Sequence, residues 1–194
     1  HRVRRSGEVE QTAELARLTG LYGAFGKAID YQGGEYGQAI LSRVPLESTE
    51  VHHLPGVDGR ERRIAFAAAL NIDGQGLTFV TTHLDHQLKD ERLKQIAQLN
   101  ELFPAMDRPV ILTGDVNAVP ESDEWRMLSS AWHDATAGRR LQTFPAPRPA
   151  RQLDYVFFRP EKHFHVLHAE AVDEGVASDH RPVLVVLSWN DKDW

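Results

Sequence analysis

Four short segments set polar, proton-active groups directly beside strand-like runs, where side chains leave a sheet edge for solvent. They are Val80-Thr81-Thr82-His83-Leu84-Asp85-His86, Ile111-Leu112-Thr113-Gly114-Asp115-Val116-Asn117, Gln152-Leu153-Asp154-Tyr155-Val156-Phe157-Phe158 and Ala177-Ser178-Asp179-His180-Arg181-Pro182. Any one of them alone reads as a helix cap or a solvated turn. Together they supply imidazoles, carboxylates and a carboxamide, and they lack the groups of covalent catalysis. The chain contains no Cys, no Gly-x-Ser-x-Gly elbow and no Gly-rich phosphate loop closed by Lys-Ser/Thr. What remains suits Mg²⁺ or Mn²⁺ binding and the activation of a water molecule. A water nucleophile needs a base or orienting group, such as a His held by an Asp. It also needs a cation or imidazolium to absorb charge building on phosphorus.

The elements that must position these groups follow from apolar spacing. Val9, Ala13, Leu15, Ala16 and Leu18 recur at helical intervals over Glu8 to Thr19, and Gly20 follows as a stop. Gln38 to Arg43 is short and apolar enough for a strand, ended by Pro45. Arg63 to Ile72 and Leu77 to Thr82 read as a hairpin around Asp73-Gly74-Gln75-Gly76. Leu93, Ile96, Ala97, Leu99, Asn100 and Phe103 give Asp90 to Phe103 one mostly apolar helical face, broken by Pro104. Val110 to Thr113 is a buried type of strand, and Ser122 to Ser130 a short helix capped by Ser122 or Asp123. Leu153 to Phe158 and Val183 to Leu187 are further strands, while prolines 145, 147 and 149 make 143–151 an exposed loop. Strands separated by few helices suggest α+β or a layered α/β arrangement. Without a linker or repeat, residues 1–194 read as one domain.

With 194 residues, 41% hydrophobic and 26% charged, the composition excludes disorder and collagen-like repeats. No window approaches the roughly 18 uninterrupted apolar residues of a membrane span. A net charge of −6 counts against tight, sequence-independent binding to long duplex DNA but not against a phosphate ester as substrate. The opening His1-Arg2-Val3-Arg4-Arg5-Ser6-Gly7 has neither initiator Met nor signal-peptide core, and reads as a start in mid-protein. Compartment stays open: a soluble chain, cytoplasmic, or secreted or periplasmic if a leader lies upstream.

Thr-His-Leu-Asp, Gly-Asp-Val-Asn, Leu-Asp-Tyr-Val and Ser-Asp-His-Arg-Pro, in that order, resemble the endonuclease/exonuclease/phosphatase superfamily of deoxyribonucleases, apurinic endonucleases, sphingomyelinases and inositol-polyphosphate phosphatases. Tyr36-Gly37-Gln38-Ala39-Ile40-Leu41-Ser42-Arg43 resembles a fifth family segment. The resemblance implies a four-layer αββα sandwich with two mixed, mainly antiparallel sheets. It also implies a metal-dependent phosphoesterase using Mg²⁺ or Mn²⁺ on a small phosphodiester, a phospholipid head group, a nucleic acid or a phosphomonoester.

Site roles follow residue by residue. Asp115 would orient or deprotonate the attacking water and share the metal with Asp179. Asn117, two residues on and expected on the same face of an extended segment, would hold the phosphate and Asp115 in register. His180 would contact the phosphate, with Asp154 behind it fixing its tautomer. His83 would be the second imidazole, and Glu61 its candidate partner. The family's opening Asn strand and its Glu strand, which carries the principal metal ligand, have no counterpart before Glu8 here. An upstream piece of the same protein or a swapped or edge-to-edge dimer is expected to complete the sheet.

Two other functions compete. A zinc hydrolase of the metallo-β-lactamase kind would use His83, Asp85 and His86, although Thr81 stands where its first His belongs. A catalytically impaired relative would bind a partner instead. Trp125, Trp132 and Trp189 read as core or edge packing and Trp194 as a frayed terminus. His52-His53 reads as loop surface, and Arg139-Arg140 as a solvated pair or a weak phosphate-facing rim.

Overall fold

The computed structural model describes residues 1–7, 9–104 and 108–190. In chain order its elements are α1 (Gln11–Thr19), β1 (Tyr22–Tyr31), β2 (Gly34–Ser42), β3 (Leu46–His53), β4 (Ile64–Ile72), β5 (Gln75–His83), α2 (Lys89–Leu102), β6 (Val110–Asp115), α3 (Asp123–Ser129), β7 (His133–Asp134), β8 (Asp154–Arg159), β9 (Phe164–Ala171) and β10 (Val183–Trp189).

The core organises around β4, whose residues from Ile64 to Ala68 are all buried. A strand covered on both faces reads as a continuous apolar run. Asp73 and Gly74, both at positive φ, turn β4 into antiparallel β5. The path from β5 to β6 crosses over through α2, and a crossover is what a parallel pair requires. The resulting sheet has the order β3-β4-β5-β6-β8-β7 and is parallel only at β5–β6 among its pairings.

Alternation along these strands sorts the side chains onto two faces. Ala65, Ala67, Val80, Leu112 and Phe157 meet Ile96 and Leu99 of α2 and Leu128 of α3. Each fully buried Val, Leu, Ile or Phe among them contributes roughly 1.5–3 kcal/mol. The other face carries Phe66 and Ala68 toward β1–β2, and Leu70, Leu77 and Phe158 toward β9–β10. Each of these two-stranded ribbons is an antiparallel pair, and among the described residues they share no ladder with one another. Helix α1 lies against β1 and β2, and the layers are those of the expected αββα sandwich. Gly26 lets β1 settle onto the large sheet, because a Cβ there would stand 2.5 Å from the Phe66 ring.

Several local expectations need correction. β1, β3 and β9 are strands that apolar spacing did not reveal, and His52-His53 closes β3 rather than a loop, with His52 edge-on to Phe103. Helix α1 begins at Gln11; Glu8 and Trp194 lie outside the described residues. The proline-rich loop is not simply exposed: Thr143 and Ala146 are fully buried, and Phe144 forms a bridge with Arg151. Trp132 is core and donates to Asn100 Oδ1, Trp125 donates to Asp134, and Trp189 packs on Phe164. Arg139 and Arg140 are exposed.

The cap of α3 is as expected, with Ser122 Oγ accepting from Trp125 N–H at 3.2 Å. Ser122→Ala should lower the unfolding free energy by about 1 kcal/mol in a urea titration. An unchanged midpoint would show that water replaces the cap.

Candidate active site

Strand register puts the reactive groups in one row. His83 ends β5, Asp115 ends β6 and Asp154 begins β8. Across the two ladders His83 pairs with Asp115 and Asp115 with Asp154. Partners in register present their side chains on the same face. Here it is the face toward the ribbons, since Thr81, two residues before His83, reaches Gln38 of β2. Gly114 makes this approach possible: at φ +147°, a Cβ would stand 2.0 Å from the Thr82 carbonyl oxygen.

His180 enters from the loop before β10 and closes the row from outside. Its Nδ1 lies 2.8 Å from Asp154 Oδ2 and its Nε2 3.8 Å from Asp115 Oδ2. His83 Nε2 approaches the same Asp115 oxygen at 3.4 Å. Asp115 is thus flanked by two imidazoles, while its Oδ1 accepts from the Asn117 backbone N–H at 2.8 Å. The proline-rich loop supports His180: the Phe144 ring packs against it at 4.7 Å between centroids. Ala146 N–H donates to Asp179 O, and Arg181 N–H to Thr143 O. Tyr155 donates to the Ala118 carbonyl and so holds the segment after Asp115 from beneath.

Charge and burial divide these groups by role. Burial, then the Asp154 charge, raises the Asp115 carboxyl to about 6. Burial, then the charges of Arg63, His180 and His86, lowers His83 to about 3, so His83 is neutral at physiological pH. For His180, burial lowers the pKa, but the hydrogen bond to Asp154 and the carboxylate charges outweigh it and the net direction is upward. Tyr36 Oη lies 3.3 Å from His83 Nδ1. A phenol donating to the bare nitrogen of a neutral imidazole leaves the proton on Nε2, facing Asp115.

The donor set fits a hard divalent cation. Ligand atoms of Asp115, Asp154 and His180 lie within 4.8 Å of one another. Two neighbouring carboxylates, one with a raised pKa, are the electrostatic signature of a place for positive charge.

Other candidates stand elsewhere. Asp179 is exposed, with its carboxylate 3.4 Å from Ser178 Oγ, and lies outside the three-residue group. Asn117 does not share a strand face with Asp115, because β6 stops at Asp115 and Asn117 turns to φ +54°. Its side chain donates to the Leu84 carbonyl. Glu61 lies 3.0 Å from Arg63, whereas Tyr36 is the group at His83 Nδ1. The zinc set does not assemble: Asp85 is buried and accepts from the backbone N–H of Gln87 and Leu88. His86 is exposed, held by Arg63 and Gln87. Tyr36 and Phe144 were not anticipated as site residues. Tyr36 stands inside the matched segment and carried the only signal.

The model of the Endonuclease/Exonuclease/phosphatase family matches residues 7–180. The chain belongs to that family. Among curated relatives, YbhP of Escherichia coli strain K12 is 28% identical over 144 residues, covering 70% of this chain and 56% of YbhP. The chain therefore matches little more than half the length of that relative.

Solved structures share the fold. A mannosyl-6-phosphatase of Bacteroides thetaiotaomicron superposes with a TM-score of 0.76 at 21% identity, over 92% of this chain and 81% of that one. The human nocturnin catalytic domain with bound sulfate gives 0.73 at 19%, over 93% and 76%. TDP2 of D. rerio, complexed with a single-strand DNA product, gives 0.68 at 19%, over 93% and 82%. Within this family chain, no described helix is long and apolar enough to cross a membrane.

Asp154→Asn should keep the fold and lower turnover on a phosphoester by about 10² or more, as loss of a histidine's orienting carboxylate does elsewhere. Steady-state kinetics beside a thermal melt checks this, and full turnover with an intact melt would exclude the pairing as functional.

Proposed function

We propose that this domain hydrolyses a phosphate monoester or diester by in-line attack of an activated water, with Mg²⁺ or Mn²⁺ as cofactor. The observation that carries the reading is the row His83–Asp115–Asp154 with His180 set against both carboxylates. Asp115 is the base: burial and its acidic neighbour raise its proton affinity, and Asn117 N–H keeps its other oxygen in place. His180, held through Nδ1 by Asp154, presents Nε2 to a phosphoryl oxygen. His83 presents a neutral Nε2–H to the same region and stabilises charge there without delivering a full proton. Asn117 supports the loop behind Asp115 through Leu84 O. Asp115 and Asp154, with His180 beside them, are the residues that would hold the metal. When bound, such an ion supplies Lewis acidity toward phosphoryl oxygen and neutralises the paired carboxylates. Asp179 contributes negative charge near both imidazoles from outside the group.

The similar structures support the general chemistry, since one is a mannosyl-6-phosphatase and another is complexed with a single-strand DNA product. Release of p-nitrophenol from bis-p-nitrophenyl phosphate, of inorganic phosphate from a hexose phosphate or an inositol phosphate, of phosphocholine from sphingomyelin, and of shortened products from single-stranded DNA tests the reading, each with Mg²⁺, Mn²⁺ or EDTA. Hydrolysis of at least one ester, abolished by EDTA and restored by metal, is expected. Binding without cleavage by the complete protein would favour a catalytically impaired relative.

A further inference from the structure

We propose that Arg151, stacked on Phe144 beside His180, receives a second phosphate of the substrate. The site then prefers esters that carry another phosphate a few covalent bonds from the scissile one. This inference rests on the phosphoesterase reading above and names the substrate class for that site. A nucleotide chain and a polyol bisphosphate share this chemistry, and the experiment below separates them.

The loop that supports His180 is charged out of keeping with the rest of the chain. Between Ala135 and Leu153 it holds Arg139, Arg140, Arg148 and Arg151 and no Asp or Glu, in a chain of net charge −6. All four arginines are exposed, and among the described residues none has an acidic partner. Elsewhere surface cations are neutralised locally, Arg17 by Glu14, Lys89 by Asp123 and Arg108 by Glu47. Arg181, next to His180, is engaged too: its Nη2 lies 2.8 Å from Asp173 and its Nε–H donates to Ala146 O. A cluster of unpaired cations on one loop concentrates anions there.

Two ring contacts lead from the reactive row to Arg151. The Phe144 ring packs on the His180 ring at 4.7 Å, and Cζ of Arg151 stands over the same Phe144 ring at 4.9 Å. Laid end to end, these contacts stay within the Debye length of about 10 Å at 0.1 M salt, so a phosphate at His180 feels the guanidinium. The backbone fixes the root of the side chain. Arg151 N–H donates to Phe144 O, and Arg151 O accepts from the N–H groups of Thr143 and Phe144. Stacking occupies the face of the guanidinium and leaves its N–H edge free for the two-point recognition of a phosphate that lysine cannot reproduce. His180 and Phe144 are half-buried and Arg151 is exposed, so the three grade from the reactive row outward to solvent.

Binding without turnover tests this directly. NMR titrations of the complete protein in EDTA compare thymidine monophosphate with the 5′-phosphorylated thymidine dinucleotide, and an inositol monophosphate with an inositol bisphosphate whose phosphates are adjacent. In at least one pair the two-phosphate ligand should bind about tenfold tighter at about 50 mM salt, and the pair with the larger ratio identifies the source. Arg151→Gln should reduce that ratio to about twofold, the statistical value for two equivalent phosphates, and leave monophosphate affinity within about twofold. Arg151→Lys keeps the charge and should retain a ratio of about threefold or more. Arg140→Gln removes the same charge from the same loop away from the Phe144 stack, and should keep at least about half of the ratio. Ratios near two in both pairs, a ratio untouched by Arg151→Gln, or an equal loss in Arg140→Gln would each overturn the proposal. A protein with the Arg151-dependent preference that cleaves no ester upholds the anion site and rejects the hydrolytic reading. One that cleaves esters without the preference does the reverse.

Discussion

Asp115→Asn is expected to lower turnover by about 10³ or more while making the metal-free fold more stable. The two effects have one cause. The carboxylate is confined between two imidazoles and next to Asp154, and burial followed by that neighbour's charge lifts its pKa from 3.8 to about 6. A carboxyl group whose folded pKa exceeds its unfolded value is a liability above both values and none below them. The liability grows as pH rises from about 4 to about 6, and at its upper limit is roughly 3 kcal/mol. Asn keeps the shape and the bond from Asn117 N–H but carries no charge. Urea melts in EDTA at pH 8 should therefore favour the variant, and melts at pH 4 should not. Saturating Mg²⁺ should narrow the gap, because only the wild-type site gains from the cation. A variant that retains turnover, or is less stable at pH 8, would remove Asp115 from the role of base.

The second large effect concerns His83 and acid. Its pKa falls from 6.5 to about 3 on folding, through burial first and then the charge of Arg63. Between those values the unfolded chain binds a proton that the folded chain refuses, so stability drops as pH falls through this window. The limit is roughly 4–5 kcal/mol. Asp115 works in the opposite direction between about 6 and 3.8, so the wild-type curve alone conceals the contribution. The difference between wild type and His83→Gln isolates it: wild type should lose stability relative to the variant on going from pH 7 to pH 4. In the wild-type protein the His83 ring resonances should stay at their neutral positions down to about pH 4. Titration of that ring near 6.5 would contradict the assignment of His83 as a neutral donor.

What the sequence disclosed about fold and site divides along physical lines. β4, β5, β6 and β8 are legible because both of their faces are covered, which demands uninterrupted apolar residues from Ile64 to Ala68 or at Val110-Ile111-Leu112. β1 is hidden by the very residue that lets it pack, since Gly26 weakens the strand signal while admitting Phe66. β3 is an edge strand with Glu47, Ser48, Thr49 and Glu50 facing solvent, and such strands resemble loops in composition. At the site, residue types and their order single out His83, Asp115, Asp154 and His180, and strand register with the loop before β10 sets these four side by side. The partners of those groups were less legible. A shared face for Asn117 and Asp115 requires β6 to continue, yet the Asp115 carboxylate accepts from the Asn117 N–H and the strand ends there. The prolines at 145, 147 and 149 give residues 143–151 the composition of an exposed loop, although the buried Thr143 and Ala146 anchor that loop, and Phe144 with it, against the His180 segment.

The separate hydrogen-bond ladders of the large sheet and the β1–β2 ribbon have an evolutionary corollary. His83, Asp115 and Asp154 are locked to one another by strand register, and a one-residue slip would turn any of them to the opposite face. Among the described residues, Ile29, Tyr31 and Tyr36 sit on a ribbon that shares no ladder with the large sheet. Mutations at Ile29 and Tyr31 can change the surroundings of the reactive row at little risk to its alignment, whereas Tyr36 reaches His83 Nδ1 and is part of it. Under the proposed function, a scaffold so divided can vary around its reactive centre while that centre stays fixed, and directed evolution of a new specificity should begin at Ile29 and Tyr31 rather than in the strands that carry the row.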